Sequence, residues 1–311
     1  MSTESPLRQA ARKALGGGLV GAGAMGANVV TLMWLRTTLF VQYAKGLSFP
    51  AALKYVYVDG GRGWRGLARF YAGVSYGLLL APVSRFGDTA ANAGVLSLFA
   101  SSERHADAPM VLKTTAAGLA AGAFRSAIHP LDTAKTVIQV HGRTKGMDIL
   151  RVKARELGWR RALFAGAAGA GTAHAVSFVP WFTVHNLLQA RIPRVDISHK
   201  DGGMALYAAR SLGIGLIASA VSDTASNGLH VLKTLKQVSA SDISYLGAAQ
   251  KALASGGLVK GLLLRGLGTR ITASAINGAL FTLLWNLGED AMAAEGERTE
   301  RERGENKNRT R

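Results

Sequence analysis

The 311-residue chain has no cysteine, so neither a disulfide nor a Cys-based metal site can form. It is short of acids: 19 Asp and Glu stand against 37 Lys and Arg, a formal net charge of +18. An excess of that size suits nucleic acid, an anionic membrane surface or anionic solutes. The seven histidines are scattered, with no HExxH or other zinc spacing, and no Walker loop or dinucleotide fingerprint opens a βαβ unit. Catalysis, metal binding and nucleotide-cofactor binding therefore have no basis in the sequence, and no catalytic or metal residue is assigned.

Charge is also missing from long stretches. Residues 14–35, 162–190 and 271–288 contain no Lys, Arg, Asp or Glu, and a bilayer-spanning helix needs about 20 mostly apolar residues. Residues 70–84, 111–128 and 211–222 are weaker runs of the same kind, bounded or interrupted by charge. Their small residues suit close helix packing in lipid. The first fifteen residues are too polar for a secretory signal and make a poor transit peptide. Residues 295–311 alternate Glu and Arg with no apolar residue, which predicts a solvated, disordered tail.

Glutamines at 42, 139 and 237 are spaced almost equally, and the segments ending on them align: MWLRTTLFVQ, PLDTAKTVIQ and GLHVLKTLKQ. A second marker follows each one: GWRGLARFYAG ends at Gly73, GWRRALFAG at Gly166 and GGLVKGLLLRG at Gly266. Each unit of roughly 100 residues reads as helix, basic loop, helix. The expected organisation is an N-terminal segment (1–13), three repeats (14–105, 106–200, 201–294) and the tail. Basic loops had no place in the runs themselves, and they account for the net charge without nucleic acid.

Pro130, Asp132 and Lys135 resemble the Pro-x-Asp/Glu-x-x-Lys/Arg signature of the mitochondrial carrier family, and Gln139 resembles the brace that follows it. The glycine-aromatic segment before each even helix is also similar to that family. The resemblance covers about residues 16–290. It implies an all-α fold of six transmembrane helices in three pseudo-symmetric hairpins, in the mitochondrial inner membrane, with both termini toward the intermembrane space. The loop Arg143–Arg161 holds seven Lys/Arg against two acids, and basic loops stay on the side from which charge is not translocated.

Pro130 removes a helical hydrogen bond and clashes with the carbonyl of Ser126, which predicts a kink. Asp132 and Lys135, three apart, share one side of the helix. By the resemblance they belong to a matrix gate of ion pairs between odd-numbered helices, braced by Gln42, Gln139 and Gln237. The first unit has Met33, Leu35 and Thr38 at the signature positions, and the third has Gly228, His230 and Lys233. The gate then has one acid, Asp132, and two lysines, with Lys135 expected to face His230 and Lys233 to face Leu35. The outer gate is degenerate at 185–189 and 285–289.

Seven residues before the gate-acid positions stand Asn28, Arg125 and Asp223, a second polar layer about two turns away. It either holds a small polar solute or is a structural Arg125–Asp223 pair. His174 and Arg270 are further solute-binding candidates on the even helices. Tyr245, Gly247, Arg265 and Gly266 resemble the family's cardiolipin motifs, with Gly146 and Gly166 as a second site. No cofactor is expected beyond bound cardiolipin. Two functions remain open: transport of a small polar or anionic metabolite by alternating access, or an accessory role with subunits of an inner-membrane complex.

Overall fold

The computed structural model describes residues 6–101, 108–193, 203–280 and 283. The expected disordered tail and the outer-gate stretch 285–289 lie outside the described residues. Among those described, every regular element is a helix. In chain order they are α1 (Pro6–Lys45), α2 (Phe49–Asp59), α3 (Gly63–Arg69), α4 (Val74–Ala100), α5 (Met110–Ala127), α6 (His129–His141), α7 (Arg143–Leu157), α8 (Trp159–Leu163), α9 (Ala167–Arg191), α10 (Gly203–Val238), α11 (Tyr245–Ala254), a π-helical turn (Gly257–Leu263) and α12 (267–280).

The proline decides where a long helix breaks. The second unit, which has Pro130, is split at Ile128 into α5 and α6, with the proline in the first turn of α6. There its missing N–H costs nothing. The first and third units have Met33 and Gly228 at that place, and α1 and α10 run through unbroken.

Neighbouring helices close a ring. α1 packs on α4, α4 on α5, α5 on α9 and α9 on α10. α12 joins α10 through Arg270 and Asp223, and joins α1 through Asn28 Nδ2, which donates to the carbonyl of Asn277 at 3.0 Å. α6 touches α1, α4 and α10, and so draws the odd-numbered segments together at one end. Small residues allow the close approach: a Cβ on Gly122 of α5 would lie 2.6 Å from the carbonyl of Gly171 on α9. Among the described residues one helical stretch, Trp159–Arg191, is long and apolar enough to cross a membrane, with a mean hydropathy of 1.4. Only 39% of that apolar window is buried in the protein.

The marker glycines Gly73, Gly166 and Gly266 have φ of 82°, 89° and 68°, a region L side chains avoid. Each also meets another unit's odd-numbered segment. A Cβ on Gly73 would lie 3.3 Å from the carbonyl of Lys135, and one on Gly166 would lie 3.1 Å from that of Lys233. One on Gly266 would lie 2.9 Å from Leu39. Conformation and space both require glycine here.

Candidate functional site

A cavity of about 670 Å³ lies within the ring, walled by residues of α1, α4, α6, α9, α10 and α12. Its wall carries Arg36, Arg85, Lys135 and Arg270, together with His230, and no carboxylate among the described residues. The expected central layer is placed differently. Of the five solute candidates only Arg270 lines the cavity; Asn28, Arg125, Asp223 and His174 do not. The Arg125–Asp223 pair is not formed either. Arg125 Nη2 is 2.6 Å from Asp88 Oδ2, and His174 Nε2 is 3.2 Å from Asp88 Oδ1. Asp223 accepts from Arg270 Nε at 2.7 Å and from Ser274 Oγ at 2.6 Å. Each acid finds its base on an adjacent helix of the ring, which separates the two pairs. These pairs knit the wall, and they bind α4 to α5 and α9, and α10 to α12.

Asp88, Arg36 and Arg85 were not singled out in the sequence. Stepping by seven from the signature samples only the odd-numbered helices, and Asp88 and Arg85 are on α4. A signal was present: they are the only charged residues between Val74 and Ala100.

At the closed end, the expected gate pairing is corrected. Lys233 does not face Leu35: its Nζ lies 2.5 Å from Asp132 Oδ2. Lys135 lines the cavity beside His230, but its Nζ donates to Asp132 Oδ1 at 3.1 Å, on its own helix. The three-residue spacing makes that contact local. Leu35 is buried beside Leu32 and Ala273 instead. One carboxylate therefore serves two lysines.

The glutamines share the work unequally. Gln237 Nε2 donates to Asp132 Oδ2 at 3.1 Å and to Thr133 Oγ1 at 3.3 Å. Gln139 Nε2 donates to Thr37 Oγ1 of α1 at 3.2 Å. Gln42 departs from the brace role, since its Nε2 reaches only the carbonyl of Leu47, at 3.4 Å.

A second ring of contacts lies beyond the glutamines. Arg69 donates to the carbonyls of Gln139 and Val140, each at 2.9 Å. Lys153 donates to those of Lys236 and Gln237 at 3.2 and 3.5 Å. Arg265 donates to that of Gln42 at 3.0 Å. Each unit thus sends one cation to the C-terminal carbonyls of the next unit's odd-numbered helix, and the third closes on the first. A cation is favoured there by the unpaired carbonyls and by the helix dipole. The three bases sit at different distances from their marker glycines, so aligning the repeats does not reveal them.

This placement corrects the lipid role expected of Arg265: its guanidinium is buried and taken up by protein carbonyls and Ser255 Oγ. Tyr245 Oη accepts from Gly169 N at 2.6 Å, capping the start of α9, and burial pushes its phenol up from the ordinary range. Gly247 N donates to Ser244 Oγ, and Gly146 packs on the backbone of Val137 and Ile138.

Burial lowers the Lys153 pKa from 10.5, with Asp242 opposing and Lys236 adding to the fall. The unfolded chain therefore binds more protons than the folded one between the lowered value and 10.5, and stability rises with pH across that window. Thermal unfolding from pH 8 to pH 10.5 should show wild type gaining on Lys153→Met as pH increases. A constant gap would refute the assignment.

No curated protein matches the chain. Residues 107–194 hold the broken helix, the Asp132–Lys135 contact, Gln139 and the Gly166 turn, and it is this segment that matches the family model described as mitochondrial carrier protein.

Proposed function

We propose that the whole chain is a divergent mitochondrial carrier, with three repeats and six spans in the inner membrane, that moves a small anionic metabolite by alternating access. The observation that carries this reading is the cavity wall: among the described residues four cationic side chains and no carboxylate, with a closed end held by the Asp132–Lys233 pair. A water-filled cavity with one sign of charge concentrates solutes of the other. Charges at membrane depth are costly and face such a cavity or a partner, and here they do both. The termini face the intermembrane space in this reading, and the basic α7–α8 segment faces the matrix. Bound solute would supply the differential affinity that lets Lys233 leave Asp132 and the closed end open. The chain is assigned no catalytic step.

The test is uptake into cardiolipin-containing liposomes loaded with a panel of labelled mono-, di- and tricarboxylates, phosphate and neutral amino acids. Accumulation of an anion, reduced in Arg36→Gln, supports transport. A second reading rests on the gate itself, which has one acid for three positions. In that reading the chain is a structural or assembly subunit of an inner-membrane complex. Co-purification with such a complex at fixed stoichiometry, together with no uptake of any solute, would favour it.

A further inference from the structure

The geometry points to a resident anionic phospholipid held by the first repeat, at a place distinct from the glycine sites at helix N-termini. An apolar pocket of about 780 Å³ opens on the outer face of α1, α2 and α3. Trp34, Leu53, Leu67, Phe70 and Tyr71 wall it and Trp64 stands at its mouth, 81% exposed. The volume falls within the range of ligand sites, about 300–1,000 Å³.

Local sequence builds the pocket. Gly61, Arg62 and Gly63 have φ of 91°, 62° and 52°, and this left-handed run turns the chain so that α3 folds back along α2. Gly63 N donates to Tyr57 Oη at 2.9 Å, fixing the turn. Trp64, Leu67 and Ala68 of α3, with Tyr71 in the turn after it, recur at helical spacing and line the pocket together. Among the described residues no side chain fills the space between these residues and Trp34.

Charge identifies the occupant. Arg62 and Arg65 flank Trp64 and are exposed. The nearby acid, Asp59, does not neutralise them, because it is held by Arg69 at 2.9 Å and Lys145 at 3.6 Å. Indole and phenol rings settle where hydrocarbon meets headgroups, and arginines there attract anionic lipid. The pocket thus offers an apolar slot for one acyl chain under two cations for a phosphate. Trp159 of the second repeat is also exposed and followed by Arg160 and Arg161, but these three residues do not line this pocket. That contrast supplies the control. The inference rests on the membrane reading and does not need transport, so uptake and lipid binding can fail separately.

The experiment is native mass spectrometry of the full chain in dodecyl maltoside, titrated with dioleoyl phosphatidylglycerol or dioleoyl phosphatidylcholine. Phosphatidylglycerol should bind first and tightest. Arg62→Gln with Arg65→Gln should weaken that first event about thirtyfold, from two cations near a phosphate. Arg160→Gln with Arg161→Gln should leave it unchanged. Ala68→Phe, which fills the slot, should weaken both lipids. Equal loss from the two arginine pairs would show a general surface-charge effect and overturn the site. So would undiminished binding in Ala68→Phe, or no preference for phosphatidylglycerol. Should Ala68→Phe fail to fold, the two arginine pairs still decide.

Discussion

Asp132→Asn is expected to destabilise the folded protein by about 3–5 kcal/mol, the range found when one partner of a buried ion pair is removed. The reason is the uneven count at the closed end. Lys233 and Lys135 are both held by one carboxylate, at 2.5 and 3.1 Å, and their side chains are 9% and 16% exposed. Asparagine retains an oxygen for Gln237 Nε2 but leaves two lysines facing no acid. Lys233→Met should cost less, since Lys135 still neutralises Asp132. The double variant Asp132→Asn with Lys233→Met should recover part of the loss, because only Lys135 is then left facing no acid. Thermal unfolding in detergent, with the single and double variants as a cycle, measures this coupling. If Asp132→Asn unfolds at the wild-type temperature, the carboxylate is not the element that holds the closed end. If Lys233→Met costs as much as Asp132→Asn, the two lysines do not share it.

The parts of this molecule that were legible in sequence are those fixed by local rules. Pro130 predicts the break at Ile128, because a ring without an N–H acts on its own helix wherever that helix sits. The three marker glycines are legible for the same reason: each ends a segment in a conformation other residues avoid. Asp132 and Lys135 meet because three residues are nearly one turn. Across helices, Gln237 does brace the gate acid Asp132, but the partners of individual charges differ from those expected. Lys233 is expected to face Leu35, and an Arg125–Asp223 pair is one of two readings of the central layer, because a register states which residues share a level but not which neighbour each one turns toward. Asp88 decides the fate of Arg125, and it stands on α4, which the seven-residue stepping never sampled. Arg265 was read as a lipid contact from the residues beside it, yet the carbonyl that takes its guanidinium belongs to Gln42, at the far end of the chain. Arg69 and Lys153 make equivalent contacts from positions that do not align. Their common role is set by the reach of long side chains to a helix terminus, and sequence spacing does not record that reach.

Arg36→Gln is expected to lower the affinity of the transported anion by about 10- to 150-fold, the loss of one charge-assisted hydrogen bond of roughly 1.5–3 kcal/mol. Arg36 is the most informative of the cavity cations. Arg270 is bound to Asp223, so replacing it strands an acid, and Lys135 is bound to Asp132, so replacing it also disturbs the closed end. Arg36 Nη2 instead donates to the amide oxygen Asn277 Oδ1 at 2.8 Å, a neutral acceptor that glutamine can still meet. Its replacement therefore reads solute binding with little disturbance of the wall. A ligand present at a hundred times its Kd stabilises the folded state by about 2.7 kcal/mol, so unfolding temperature in detergent reports occupancy without vesicles. Among a panel of solutes, anions should raise the unfolding temperature of wild type and neutral analogues should not. In Arg36→Gln the same anion concentration should give a much smaller rise, restored at higher concentration, while the unliganded unfolding temperature stays close to wild type. Adding salt should weaken the protection, since the attraction is between charges and is screened within about 10 Å at 0.1 M. Equal protection by neutral or cationic solutes would mean that the cationic wall does not select the cargo. Protection unaltered in Arg36→Gln would place the bound anion elsewhere in the protein.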